Sequence, residues 1–168
     1  MPPPLTRPFP SREELLQHKS WRKGAVEELY DLWRHAHAEA MTLAARLPEV
    51  FGDPPRPRIT LHVARGLDDE WRLSAERWAE LAALDPEQHW MEVSEEATRN
   101  FQEYFTFADE EGWRFYLPAF LRDYLGGFPI YGWDAVCIAC AQEDRLESFT
   151  PAQLDFCRAF RALCLVWE

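Results

Sequence analysis

The sequence predicts a mainly α-helical protein, a compact bundle of six or seven helices with at most one short β-hairpin. Apolar residues recur at intervals of three and four over most of the chain, which is the period of an amphipathic helix. Small polar residues stand directly before several of these segments, where they accept hydrogen bonds from the first-turn N–H groups. With 168 residues, the chain is long enough to bury a core without disulfides.

The N-terminal part is predicted to be an irregular arm followed by two helices. The first ten residues contain five prolines, which exclude a regular helix there. Ser11 and Glu14 have the spacing of a capping box, which predicts a short helix after them. An apolar stripe runs from Val26 to Leu47 and predicts a long helix that ends before Pro48.

A proline-rich segment, residues 53–58, is predicted to be an extended linker. We therefore divide the chain into an arm, helices and linker over residues 1–57 and a helical domain over residues 58–168. The segment Ile59–Ala64 alternates between two sets of side chains, which predicts a strand. Its best pairing partner is Trp90–Val93, and together they would form the one hairpin.

The rest of the chain is predicted to be helical, and most of its helices begin at a recognisable cap. Helices follow the caps Ser74, Ser94, Asp109 and Thr150. A short helix is predicted from Asp134 to about Asp144. Pro118 lies inside the helix that follows Asp109, where it removes one backbone hydrogen bond and predicts a kink.

Charge and composition exclude several classes of function. Eighteen basic and 29 acidic residues give a net charge of −11, so phosphate backbones and anionic lipid surfaces are repelled. We therefore expect neither a nucleic acid nor a membrane as a partner. The N-terminus lacks the apolar core of a signal peptide, which predicts a cytoplasmic protein.

Four cysteines near the C-terminus are predicted to be reduced core residues rather than metal ligands. They are Cys137, Cys140, Cys157 and Cys164. A zinc site needs a second pair at comparable close spacing, but the last two cysteines are seven residues apart. No phosphate loop, nucleophile motif or metalloprotease motif is present, and the sequence predicts no cofactor.

One acidic cluster is a candidate metal or acid–base site. Asp68, Asp69 and Glu70 are not needed as helix caps, because Ser74 is the better cap, whereas other acidic clusters stand in the first turns of helices. Grouped carboxylates are the ligands that hard cations prefer. These residues define one functional alternative, a small metal-assisted hydrolase.

Arg114 is the second candidate, because it lies in a run of aromatic and aliphatic residues, Gly112–Leu125. An arginine in such surroundings either stacks on a ring and pairs with a carboxylate, or binds an anion. We expect pairing, with Asp109 or Asp68–Asp69 as partners, and a side chain that is at least half buried.

The loop Phe128–Trp133 is the candidate recognition surface. It contains Phe128, Tyr131 and Trp133, three aromatic residues between two predicted helices. Tyrosine and tryptophan dominate binding hot spots, and binding residues concentrate on loops of a rigid scaffold. The alternative is that these rings fold back and close one end of the core.

The segment Phe107–Leu121, with its G-W-R-F-Y-L-P-A-F-L run, resembles the hallmark of an uncharacterised bacterial family, domain of unknown function 6714. Ala64–Trp71 and Leu84–Trp90 also resemble segments of that family, so the likeness covers residues 60–160. It implies a small bacterial cytosolic protein without an assigned activity or catalytic residues.

The expected function is that of a non-enzymatic binding protein whose partner is another protein. Its acidity, its many aromatic residues and the missing catalytic motifs favour this function over the hydrolase. Acidic inhibitors can mimic phosphate and block basic clefts, so an immunity or antitoxin-like role is the specific expectation.

Overall fold

The computed structural model describes residues 7–129 and 134–168, and within these ranges the chain is mainly helical and contains no strand. Nine α-helices are present there. They are α1 (Arg12–His18), α2 (Lys23–Phe51), α3 (Leu61–Asp69), α4 (Ala75–Ala82), α5 (Glu95–Asn100), α6 (Tyr104–Phe107), α7 (Glu110–Gly126), α8 (Ala135–Ala141) and α9 (Pro151–Trp167). Single 3₁₀ turns occur at Ser20–Arg22, Trp90–Glu92 and Glu143–Leu146.

The three long helices α2, α7 and α9 form the centre of the molecule. Helix α2 packs along both of the others, and α8 covers α9. The predicted stripe of α2 is its buried face, with Val26, Trp33, Ala36, Ala40, Leu43, Leu47 and Phe51 all inside. Each large side chain buried there stabilises the fold by about 1.5–3 kcal/mol. The N-terminal helices and the later helices therefore share one hydrophobic core.

Helix α7 is buried on nearly every side. Gly112, Trp113 and the run Phe115–Leu121 are all inside, so this helix carries no single apolar stripe. Gly112 faces Tyr104 so closely that a methyl group at this position would collide with the tyrosine hydroxyl. The segment that contains the G-W-R-F-Y-L-P-A-F-L run is therefore a central packing element of the fold.

The predicted hairpin is wrong for the described residues. The segment expected to be a strand, Ile59–Ala64, contains the start of α3, and its expected partner at Trp90 is a 3₁₀ turn. An alternation of six residues resembles a strand, but Leu61 and Ala64 are also three apart and share the buried face of the helix. A distant side chain, the carboxylate of Asp85, accepts the first-turn N–H of His62 at 2.8 Å.

The helix count also differs from the predicted six or seven. One additional helix is α3, which was expected to be a strand. A second additional helix arises because the helix predicted after Ser94 is interrupted at Phe101, which separates α5 from α6. Helix α2 runs past Pro48 to Phe51 and ends at Gly52, whose φ of 60° is accessible to glycine.

The predicted caps are confirmed. Ser74, Ser94 and Asp109 each accept an N–H of the following first turn. Ser11 and Thr150 form full capping boxes with Glu14 and Gln153. Each such cap stabilises its helix by about 1 kcal/mol.

Among the helices in the described ranges, none has both the length and the apolar composition required to cross a lipid bilayer.

Candidate functional site

The most exposed large aromatic side chain in the described ranges is Trp71, which is 98% exposed. It follows the C-terminus of α3, where Asp68 and Asp69 are also exposed. We call Asp68, Asp69 and Trp71 the Trp71 surface. A tryptophan in water leaves its whole apolar area unburied, and tryptophan is among the residue types most enriched in binding hot spots.

Residues on both sides of Trp71 hold its backbone in place. The Glu70 N–H donates to the Gly66 carbonyl at 2.8 Å, and the Glu70 carboxylate pairs with Arg77 of α4 at 2.8 Å. Leu73 lies against Gly66 in the interface between α3 and α4. The backbone of the turn is thus anchored before and after Trp71.

The candidate metal cluster does not act as one unit. Glu70 is engaged by Arg77, whereas Asp68 and Asp69 point to solvent. Over the described ranges, no group of three or more histidine, cysteine or acidic side chains is arranged to hold a metal ion.

Arg114 pairs with the carboxylate of Glu110, one turn earlier on α7, and not with Asp109 or Asp68–Asp69. Its side chain is 42% exposed, and a second, long contact of 3.5 Å reaches the Ser148 carbonyl. A pair at this spacing on a partly exposed helix face contributes only about 0.3–0.5 kcal/mol. Breaking a fully buried ion pair costs about 3–5 kcal/mol, and this value does not apply to the partly exposed pair of Arg114.

A second arginine of α7, Arg122, is more deeply buried than Arg114 and contacts a separate segment of the chain. It is 24% exposed and pairs with Asp123 at 2.6 Å. It also donates to the carbonyls of Met91 and Val93 at 2.9 and 2.6 Å. The sequence shows both arginines in one aromatic segment but does not show which one meets unpaired carbonyls.

A histidine–aspartate pair at the start of α3 was not predicted from the sequence. Asp85 is only 3% exposed. One of its carboxylate oxygens contacts His62 Nδ1 at 2.7 Å, and the other accepts the His62 backbone N–H. Arg56 donates to the carbonyl of Asp85 at 2.7 Å and to that of Ala82 at 3.0 Å.

This pair has a structural function in the fold. The Asp85 carboxylate caps α3 from a separate segment, and Arg56 ties the predicted linker to the same place. Asp85 stands in an Asp-Pro step, which indicates only the end of a helix in sequence. Its partner is 23 residues away, so no local pattern could reveal the pair.

The predicted recognition loop is only partly described. Phe128 is 1% exposed, and its ring lies 6.4 Å from that of Tyr124 and 6.1 Å from that of Trp167. Phe128 is therefore a core residue and does not face a partner. Tyr131 and Trp133 lie outside the described residues, and their role in recognition stays a prediction.

All four cysteines are free. Cys140, Cys157 and Cys164 are buried, while Cys137 is half-buried. They lie on α8 and α9, which pack against each other. The three buried cysteines belong to the hydrophobic core, as predicted, whereas Cys137 is only partly buried against it.

Comparison with known proteins gives one match. The model of a family of unknown function, DUF6714, matches residues 39–160. The match begins inside α2, earlier than the expected boundary at residue 60, and so includes part of the helix that was assigned to the N-terminal extension. No curated protein and no solved structure matches the chain.

Proposed function

The chain belongs to the DUF6714 family, a family of unknown function, and we propose that it is a non-enzymatic binding protein that recognises another protein through the Trp71 surface. The observation that carries this proposal is a fully exposed tryptophan on an anchored turn. Tryptophan is among the most frequent hot-spot residues, because one rigid ring buries a large area at low entropic cost.

The charge around Trp71 supports a basic partner. Residues 68–80 contain five carboxylates and two arginines, and the whole chain carries −11. A partner with an apolar pocket and a basic rim would be complementary to this surface, and opposite charges would accelerate the association. An immunity or antitoxin-like protein of the bacterial cytoplasm would have such a partner, since toxins that act on nucleic acid carry basic clefts.

The test is a quantitative pull-down from the native host with three variants. Trp71→Ala should lose the specific partner, with binding weakened by about 2 kcal/mol or more. Trp21→Ala is the matched control, because Trp21 is also exposed, at 72%, but lies between α1 and α2. The wild type and this control should capture the same protein equally.

A third variant tests the recognition loop directly. The double substitution Tyr131→Ala and Trp133→Ala should leave capture intact if the Trp71 surface is the binding site. Loss of capture with the loop variant but not with Trp71→Ala would move the site to the loop. Equal capture by every variant would refute both surfaces. Raising the salt concentration should slow the association with wild type, because charge steering is screened.

A further inference from the structure

Two thiols from different helices lie in contact at one end of α9. Cys137 belongs to α8 and Cys164 to the last turn of α9, and their sulfur atoms are 3.4 Å apart. The phenol of Tyr124, on α7, lies beside the same pair and influences the pKa of both thiols. A disulfide has a sulfur–sulfur distance of about 2.05 Å, so a small approach of the two helices would bring the sulfurs to bonding distance.

The two thiols differ in ways that give them different chemical roles. Cys137 is half-buried, whereas Cys164 is buried. Hydrogen bonds from Cys164 and Tyr124 lower the pKa of Cys137. Burial raises the pKa of Tyr124, so its hydroxyl keeps the proton that it donates. Cys137 is therefore the more easily ionised and more accessible sulfur, which are the properties of a reactive cysteine.

The other two cysteines provide an internal contrast. Cys140 and Cys157 are both only about 1% exposed. Burial raises the pKa of the Cys140 thiol, so this thiol stays protonated. A thiol that is neither ionised nor accessible is inert toward dissolved oxidants.

We propose that Cys137 and Cys164 form a redox-modification site that reacts with hydrogen peroxide, with Cys137 as the attacking thiol and Cys164 as the resolving thiol. The Cys137 thiolate attacks one oxygen of the peroxide. A sulfur–oxygen bond forms, the oxygen–oxygen bond breaks, and the departing hydroxide takes up a proton to become water. Cys137 is then a sulfenic acid.

The second step closes the cross-link. The sulfur of Cys164 loses its proton and attacks the sulfur of Cys137. A sulfur–sulfur bond forms, the sulfur–oxygen bond breaks, and the leaving hydroxide takes up that proton as a second water. Two thiols are oxidised by two electrons and the peroxide is reduced to two waters. The product ties α8 to α9, and thiols restore the reduced form by exchange.

The experiment treats the reduced full-length protein with hydrogen peroxide and maps its peptides without reduction. The intact mass should fall by two hydrogens, and one cross-linked peptide should join Cys137 to Cys164. Cys164→Ser should stop the reaction at the first step, so that a diketone probe for sulfenic acid labels Cys137. Cys137→Ser should prevent the intramolecular cross-link. Cys157→Ala is the matched control and should oxidise like wild type.

Other outcomes would overturn the proposal. A cross-link between Cys140 and Cys157 would show that accessibility and ionisation do not select the reacting sulfur. An unchanged mass, or over-oxidation of Cys137 in the wild type without a cross-link, would show that Cys164 does not resolve the sulfenic acid. The wild-type peptide map decides these points even if a variant does not fold.

Discussion

Two arginines on the same helix show how strongly the surroundings of a residue determine its contribution to stability. Arg114 and Arg122 both lie on α7 in the aromatic segment. Arg114 pairs with a carboxylate on the same helix face, where solvent screens the charges. Arg122 satisfies the carbonyl of Met91, inside the 3₁₀ turn Trp90–Glu92, and that of Val93, directly after it. The second arrangement joins two parts of the chain, so its removal leaves acceptors without partners.

The first prediction compares these two residues. Arg122→Met should lower the free energy of unfolding by about 2–4 kcal/mol, because a carboxylate and two carbonyls lose their donor. Arg114→Ala should cost about 0.5 kcal/mol, the value of an exposed pair. Urea unfolding monitored by circular dichroism measures both. Equal losses for the two variants would show that our distinction between them is wrong.

At the scale of single elements, helix α3 depends on a contact that is distant in sequence. Its N-cap residue, Thr60, makes no side-chain capping bond. The carboxylate of Asp85 supplies the acceptor instead and also contacts the imidazole of His62. A helix whose cap comes from another segment folds only together with that segment, so α3 and the turn after α4 form one cooperative unit.

The second prediction concerns this unit. Asp85→Asn keeps the size of the side chain, but one acceptor oxygen becomes an N–H donor and can no longer accept a hydrogen bond. The free energy of unfolding should fall by about 1–3 kcal/mol. Asp69→Asn, on the exposed end of the same helix, is the control and should change stability by less than about 0.5 kcal/mol. Hydrogen exchange should show faster opening of α3 in Asp85→Asn. An α3 that is equally protected in both variants would contradict the role of Asp85.

Elements with local signals were predictable from the sequence, and those that depend on distant partners were not. Capping boxes at Ser11 and Thr150 and the stripe of α2 are properties of neighbouring residues, and the structure contains all three. Helix α3 was mistaken for a strand because its alternation is short and its cap lies in another segment. The end of α2 was placed too early because a proline in the last turn disrupts only one internal hydrogen bond.

The candidate site was less predictable than the fold. Exposure of Trp71 depends on how α3 and α4 meet, and no periodicity distinguishes an exposed tryptophan from a buried one. Charge singles out Asp68, Asp69 and Glu70 in the sequence, but nothing there singles out Trp71 beside them. Phe128 was a candidate because it lies in an aromatic loop, yet it packs against Trp167 in the core. Burial in the fold, rather than residue type, distinguishes Phe128 from Trp71.

On the scale of the whole molecule, the aromatic residues that make the sequence unusual are largely used in packing. Tyr104, Phe105, Trp113 and Phe120 form edge-to-face and stacked contacts around α6 and α7. Such pairs add about 0.5–1.5 kcal/mol each beyond the burial of their area. The surplus of aromatic residues thus reflects a core built from rings, in which neither Trp71 nor Trp21 takes part.

The same core predicts how the protein responds to alkaline pH. Burial raises the pKa of Tyr104, Tyr116 and Tyr124. In the unfolded chain a tyrosine ionises near pH 10. Above that pH the folded protein holds more protons than the unfolded chain, so stability falls as the pH rises. Lys19 has the opposite effect at lower pH. Burial lowers its pKa from the ordinary value of 10.5 to about 8. Between these two pH values the unfolded chain holds more protons than the folded protein, so stability rises with pH.

The third prediction is therefore a cooperative loss of the fold that begins above about pH 10. Each buried tyrosine should steepen the fall in the free energy of unfolding by up to about 1.4 kcal/mol per pH unit. Tyr116→Phe should reduce the slope by this amount, since phenylalanine has no proton to lose. The free energy of unfolding, measured in urea at a series of pH values, gives the slope, while ultraviolet absorbance reports tyrosinate. Tyrosinate that forms gradually while circular dichroism stays native would show that these hydroxyls ionise inside the folded protein, and the raised pKa values would then be wrong.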